Sequence, residues 1–109
     1  MICKTPSPPY YAVIFSIVRA PVDEADYAAM GEAMATLAAE QDGFLGFEYA
    51  PETPEGFSLS VSYWRDDESI RRWKQNAEHL IAQNLGKEKW YPAYAIKIAR
   101  VERAYSQGV

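Results

Sequence analysis

The sequence predicts an α+β fold of the ferredoxin-like type, in which a four-stranded antiparallel sheet carries both helices on one face. The length of 109 residues suits a single domain with a modest core. Apolar residues repeat with a period of two in four segments and with a helical period in two others. Along the chain these segments follow the order βαββαβ, which is the split βαβ arrangement of that fold.

The first strand is predicted over residues 10–19, where β-branched and aromatic residues dominate and both faces are largely apolar. Residues 1–9 before it are rich in proline and small polar residues. We therefore expect them to form a disordered or extended N-terminal arm, unless a neighbouring element pins it. Residues 10–109 are expected to form the single domain.

The first helix is predicted over residues 23–41, where apolar side chains recur at helical spacing. Asp23 has the side chain of an N-cap, and Gly43 can adopt the left-handed conformation that ends a helix. The second strand is predicted over residues 44–50, because turn residues follow it immediately.

The third strand, over residues 57–65, has the cleanest alternation in the sequence. One of its faces is apolar. The other is small and hydroxylic, because it carries Ser58, Ser60 and Ser62. We expect this serine face either to border a cavity or to pack closely against another element.

Three acidic residues follow this strand: Asp66, Asp67 and Glu68. Acidic residues suit a helix N-terminus, because they cap it and interact favourably with its dipole. Apolar residues at helical spacing after them predict a second helix that stops near Gly86. The last strand is predicted over residues 93–105.

Composition argues against several kinds of partner. The 11 basic and 15 acidic residues leave a net charge of -4, which disfavours binding to a nucleic acid backbone. Cys3 is the only cysteine, so neither an internal disulfide nor a Cys/His zinc cluster is expected. The sequence shows no secretory signal and no apolar run long enough for a membrane helix. We therefore expect a cytoplasmic protein without a metal ion, a membrane or a nucleic acid as its partner.

Two helices can cover only one face of a sheet, yet the predicted strands carry apolar residues on both faces. An uncovered apolar face of that size needs a partner, and the chain has no further element to offer. We therefore expect a homodimer packed sheet against sheet.

Several motifs are similar to those of a known family. They are a tryptophan that closes strand three (Trp64), W-K-x-x-x-x-H-L from Trp73, A-Q-x-x-G from Ala82, W-Y-x-x-Y from Trp90 and V-E-R-x-Y from Val101. With D-G-F-L-G-F-E-Y before them, they make most of the chain resemble the antibiotic biosynthesis monooxygenase-like family, whose fold is a dimeric α/β barrel. That family includes cofactor-independent oxygenases, haem-degrading enzymes, quinol oxygenases and members without a known activity.

In the cofactor-independent branch, as the resemblance implies, a small aromatic or quinol-type substrate is deprotonated and its carbanion reduces dioxygen directly. The protein then supplies a dry cavity, a base and hydrogen bonds to the phenolate, and no cofactor. In this chain His79 could be the base, and Asn76 or Arg100 could hold the developing anion. The substrate-binding walls would be three aromatic residues, Tyr63, Trp64 and Trp73.

The haem-degrading branch resembles this chain less well. Trp73 matches its tryptophan on the second helix, but its haem-binding histidine lies ten residues later, where this chain has Gln83. Its asparagine on strand one also has no counterpart here. These differences disfavour haem binding.

Each candidate residue also has a structural explanation. His79 could be a surface histidine, Trp73 a core residue packed on the sheet, and Trp64 a plug in the barrel or the dimer seam. Arg100 could form an ion pair between subunits. The alternative function is therefore a non-catalytic dimeric module that binds a small ligand or takes part in a stress response.

Overall fold

The computed structural model describes residues 2–18, 24–83 and 93–109, with their side chains except at residues 24–28, 30 and 78–83. The elements in chain order are β1 (Tyr10–Val18), α1 (Glu24–Ala39), β2 (Phe44–Ala50), β3 (Phe57–Trp64), α2 (Asp67–Gln83) and β4 (Ala93–Val101). The predicted βαββαβ order and the ferredoxin-like class are confirmed.

The four strands form one antiparallel sheet in the order β2-β3-β1-β4. The sequence predicts that β4 runs to Tyr105, but the strand ends at Val101. It ends there because Val101 pairs with Tyr10, the first residue of β1. The residue before Tyr10 is Pro9, which has no N–H to extend the ladder.

The register divides the sheet into two faces. Residues directly opposite each other on neighbouring strands share a face, and Trp64 of β3 lies opposite Tyr11 of β1. Trp64 and Val13 pack with Ala38 of α1 and Ile70 of α2 in the core. We call this face the helix side, and the serine face of β3 belongs to it.

The opposite face, which we call the arm side, is partly covered by the N-terminal arm. The backbone N–H of Cys3 donates a hydrogen bond to Glu48 Oε2 at 2.8 Å. Gly46 accommodates the Cys3 Sγ, which occupies the space that a Cβ would need. The sequence argument that the chain could not cover this face is therefore wrong at the β2 edge. Three apolar side chains of the arm side remain between 37% and 42% exposed, namely Val18, Phe57 and Leu59.

The start of α2 is fixed by a capping network. Asp66 Oδ1 accepts hydrogen bonds from the Ser69 backbone N–H at 2.8 Å and from the Ser69 hydroxyl at 2.7 Å. These two bonds, together with one from Arg65, lower the pKa of Asp66 to about 2. The prediction of acidic capping here is confirmed. So is the left-handed Gly43 after α1, whose φ is 94°.

Two other predicted helix ends, Asp23 and Gly86, lie outside the described residues.

Candidate functional site

One row of side chains crosses the helix side of the sheet. Phe44 pairs with Trp64, Trp64 with Tyr11, and Tyr11 with Arg100. Because paired residues share a face, each of the four strands contributes one residue to this row. Three aromatic residues thus lead across the sheet to a cation on its β4 edge.

Trp64 is fully buried in the middle of this row. Its ring meets Phe44 edge-on at a centroid distance of 5.4 Å, and its indole N–H donates to Ser62 Oγ at 2.9 Å. A buried tryptophan usually finds such a partner for its N–H. Trp64 therefore fills the space between sheet and helices with its polar atom already satisfied.

Trp73 of α2 lies beside Trp64, with ring centroids 5.6 Å apart and ring planes inclined by 37°. Its Nε1 is buried, yet it has no hydrogen-bond partner among the described residues. A buried donor without a partner costs about 1–3 kcal/mol, so it calls for an acceptor such as a water or a ligand oxygen. Of the three predicted wall residues, Trp73 is the one whose N–H remains available to a ligand among the described residues.

Tyr63 lies on the arm side, because it directly precedes Trp64 in β3 and successive strand residues point to opposite faces. Its hydroxyl donates to Glu48 Oε1 at 2.6 Å, and its ring meets Tyr10 edge-on at 5.7 Å. Desolvation and the Glu48 carboxylate raise the pKa of Tyr63. The structure does not bring Tyr63 together with Trp64 and Trp73, so these three residues do not line one pocket.

The two predicted anion-holding residues lie apart from each other. Asn76 is exposed on α2 and donates to Gln41 Oε1 at 3.4 Å, beyond the C-terminal end of α1. Arg100 belongs to the row on the sheet, and its guanidinium Nε lies 3.5 Å from Glu102 Oε1 in an exposed ion pair. His79 is part of α2, but its side chain lies outside the described residues.

The sequence prediction missed Tyr11 and Glu48. Tyr11 connects Trp64 with Arg100, which requires the strand order to be known. Glu48 had a readable signal, because it is the only charged residue in the otherwise apolar strand β2. Hydrogen bonds from Tyr63 and from the Cys3 backbone lower the pKa of Glu48, so it is a firmly held anion on the arm side.

Within the described part of the chain, no group of three or more His, Cys, Asp or Glu side chains is placed to hold a metal ion. Nor is any described helix long and apolar enough to cross a membrane.

The four-stranded antiparallel sheet, with both helices packed on the face that carries Val13 and Trp64, makes this chain a ferredoxin-like α+β domain. Its residues 9–85 match the model of the antibiotic biosynthesis monooxygenase family. The chain belongs to that family, which confirms the resemblance found in its sequence.

Two curated relatives differ in how much of their length the chain spans. The uncharacterized protein YqjZ of Bacillus subtilis is 45% identical over 100 residues, which cover 92% of this chain and 86% of YqjZ. Jasmonate monooxygenase ABM of Pyricularia oryzae is 30% identical over 92 residues, which cover 84% of this chain. That stretch is only 43% of the fungal protein, so the chain spans less than half of it.

Solved structures confirm the fold. SnoaB, a cofactor-independent oxygenase from Streptomyces nogalater, superposes with a TM-score of 0.73 at 11% identity and covers 92% of this chain and 100% of SnoaB. PA3566 from Pseudomonas aeruginosa gives a TM-score of 0.67 at 21% identity, over 91% of this chain and 98% of PA3566. At such identities the likeness concerns the fold alone.

Proposed function

We propose that this protein is a cofactor-independent monooxygenase that acts on a small aromatic or quinol-type compound. Family membership supports the reaction class. The site is supported by the buried indole N–H of Trp73, which has no hydrogen-bond partner among the described residues. The indole N–H of the neighbouring Trp64, in contrast, donates to Ser62. A substrate oxygen at Trp73 would supply the missing acceptor.

The chemistry needs little from the protein beyond a base and a shielded site. A phenol or hydroquinone loses a proton to the base, and the resulting carbanion transfers electrons to dioxygen and forms a carbon–oxygen bond. The peroxide then loses water and leaves a quinone. One oxygen atom of dioxygen ends in the product and the other in water. Hydrogen bonds to the anionic oxygen stabilise the charge that develops before oxygen is reduced.

In this proposal His79 is the base, because it is the only histidine of the chain and lies on the same helix as Trp73. Asn76 and Arg100 remain the proposed anion-holding residues. Trp73 lines the site and also donates a hydrogen bond, and the Trp64 ring packs against it from the sheet.

The test is oxygen consumption with a panel of hydroquinones. Jasmonate, which is not a hydroquinone, is tested beside the panel, because the fungal relative is named a jasmonate monooxygenase. We expect His79→Ala to abolish uptake, while Gln75→Ala, an exposed change on the same helix, leaves it intact. Trp73→Phe keeps the aromatic ring but removes the N–H, so it should slow uptake about tenfold or more without unfolding the protein. Unchanged turnover in His79→Ala would remove His79 as the base.

We also propose that the protein acts as a cytoplasmic homodimer joined through the arm side. The half-exposed Val18, Phe57 and Leu59 of that face support this assembly, because they leave apolar surface beside the arm. Leu59→Lys should give a monomer in light scattering. Tyr49→Lys changes an exposed aromatic residue of the helix side and should leave a dimer. A dimer that survives Leu59→Lys places the interface elsewhere.

The second candidate is a non-catalytic module that binds a small ligand. The full burial of Trp64 favours it, because a residue that fills the core can close a cavity as well as line one. Such a module would bind hydroquinones without consuming oxygen. Haem breakdown is disfavoured by Gln83, and a titration with haemin that gives no Soret band would end that possibility.

A further inference from the structure

The helix side of the sheet is nearly free of charge. By the register, the strand positions on this face are apolar, aromatic or serine, and Arg100 is the one charged residue among them in the described strands. The charged strand residues Glu48 and Lys97 both fall on the arm side, where each shares a row with Ile14 through its pairing partners. Arg100 thus gives one end of an apolar face a positive charge.

An apolar track runs along β4 from this cation. Ile98 and Ile96 lie on the helix side, opposite Val13 and Phe15 of β1, and they are 50% and 45% exposed. Exposed isoleucines in succession on one strand face form a surface that favours an apolar body. The Arg100 guanidinium at the end of the track favours an anion, and a planar guanidinium matches a carboxylate with two parallel hydrogen bonds.

Among the residues that the structure describes, Arg100 pairs with Glu102, and this pairing leaves the capacity for a carboxylate available. Glu102 lies at 3.5 Å, a distance longer than that of a strong charge-assisted hydrogen bond. The Arg100 and Glu102 side chains are 52% and 68% exposed, so water screens their attraction. A ligand carboxylate that arrives with an apolar body can replace Glu102 at little cost.

A second polar point lies across the sheet. The N–H of Trp73 has no partner among the described residues, and its ring lies beside that of Trp64 in β3. β3 and β4 are separated by β1 alone. Their backbones are therefore about 10 Å apart. One oxygen at Trp73 and one carboxylate at Arg100 would span the width of a small fused-ring compound.

We propose that Arg100 anchors a permanent carboxylate of the substrate, so that the substrate class is an apolar or aromatic acid whose reacting end lies towards Trp73. This proposal rests on the monooxygenase site described above, but it concerns binding of the ground state. Arg100 then fixes the orientation of the substrate through its permanent charge. This role replaces the anion-holding role proposed for Arg100 above and leaves that role to Asn76. Arg100 contributes to KM and leaves kcat nearly unchanged.

Binding to a matched pair of compounds tests this assignment. The probes are 6-hydroxy-2-naphthoate and 6-hydroxy-2-naphthamide, which share one ring system and one hydroxyl but differ in charge. By calorimetry at low salt, the wild-type protein should bind the acid about tenfold more tightly than the amide. R100Q should lose this preference while its affinity for the amide stays within about twofold of wild type.

Two further variants separate anchoring from general charge effects. R103Q removes the same charge from an exposed position beyond the end of β4, so it should keep the preference for the acid. E102Q removes the competing carboxylate, so it should bind the acid more tightly than wild type does. The affinity for the acid should thus fall in R100Q and rise in E102Q, although the two residues form one ion pair.

Several results would overturn the assignment. It is wrong if neither probe binds, if wild type binds acid and amide equally, if R100Q weakens both alike, or if R103Q loses as much as R100Q. Oxygen consumption is read separately. Selective binding of the acid without oxygen uptake by any hydroquinone would contradict the monooxygenase proposal and leave the carboxylate anchor in place.

Discussion

The polar groups on the two sides of the sheet differ in how completely they are hydrogen-bonded, as Tyr63 on the arm side and Trp73 on the helix side show. On the arm side, both Glu48 carboxylate oxygens accept hydrogen bonds, from Tyr63 and from the Cys3 backbone. On the helix side, the indole N–H of Trp73 has no partner within the described part of the chain, and there Arg100 pairs with Glu102 alone, at 3.5 Å and exposed. A closed network stabilises structure, whereas open hydrogen-bonding capacity in an apolar setting suits a ligand. Function is therefore expected on the helix side.

The largest effect should come from the core of the helix side. Trp64→Ala removes a fully buried ring that packs on Phe44 and Trp73, so the free energy of unfolding should fall by about 3–5 kcal/mol. Tyr49→Ala is the matched control, because Tyr49 is an aromatic strand residue of the same face that is 66% exposed. Urea unfolding measures both variants. Similar losses would show that Trp64 is not a core residue.

Two glycines sharpen the contrast between the faces. A Cβ at Gly43 would collide with Ser69, whose hydroxyl is held by Asp66, and φ at Gly43 is 94°. A Cβ at Gly46 would collide with Cys3 Sγ, which belongs to the arm. Gly43→Ala should lower the free energy of unfolding by about 3 kcal/mol, because neither the backbone nor Ser69 can move to relieve the clash. Gly46→Ala should cost about 1 kcal/mol, because the arm can move away.

A second substitution makes this test specific. Cys3→Ala removes the atom that meets the new methyl group, so it should restore stability to Gly46→Ala and do nothing for Gly43→Ala. Urea unfolding of the two double variants measures whether Cys3→Ala restores the stability of each glycine variant. If Cys3→Ala also restored the free energy of unfolding of Gly43→Ala, the destabilisation of both glycine variants would have a common, indirect cause.

Local patterns in the sequence predicted the elements well. The alternation in residues 57–65 gave β3 to within one residue, and turn residues on both sides gave β2 its observed bounds. Alternation also places Tyr63 and Trp64 on opposite faces, so the sequence alone argues against one wall that contains both. The candidate site was harder to predict, because Tyr11 and Trp64 meet only through strand pairing. Likewise, Cys3 and Glu48 are 45 residues apart, and no local pattern predicts such a contact.

The closed network of the arm side should show a moderate effect. Tyr63→Phe removes one of the two hydrogen bonds to Glu48 and should cost about 1.5 kcal/mol at neutral pH. The pKa of Glu48 is lowered in the folded protein, so its stabilisation is present above its ordinary pKa of 4.5 and is lost as the pH falls. Tyr63→Phe should therefore lose less stability than wild type on acidification. Tyr49→Phe is the control, and an equal acid dependence in wild type and Tyr63→Phe would contradict the network.

Among the hydrogen-bonded networks, the smallest effect should come from the cap that starts α2 and so positions Trp73. Asp66→Ala should cost about 1 kcal/mol at neutral pH, because the Ser69 N–H and hydroxyl lose their acceptor. The pKa of Asp66 is about 2 in the folded protein, against an ordinary 3.8. Its stabilisation is therefore complete above about pH 4 and is lost as the pH falls towards about 2. Asp66→Asn keeps a capping oxygen but cannot titrate, so it should retain most of the stability and show a weaker decline in this range. A decline as steep as that of wild type would mean that other carboxyl groups govern the acid unfolding.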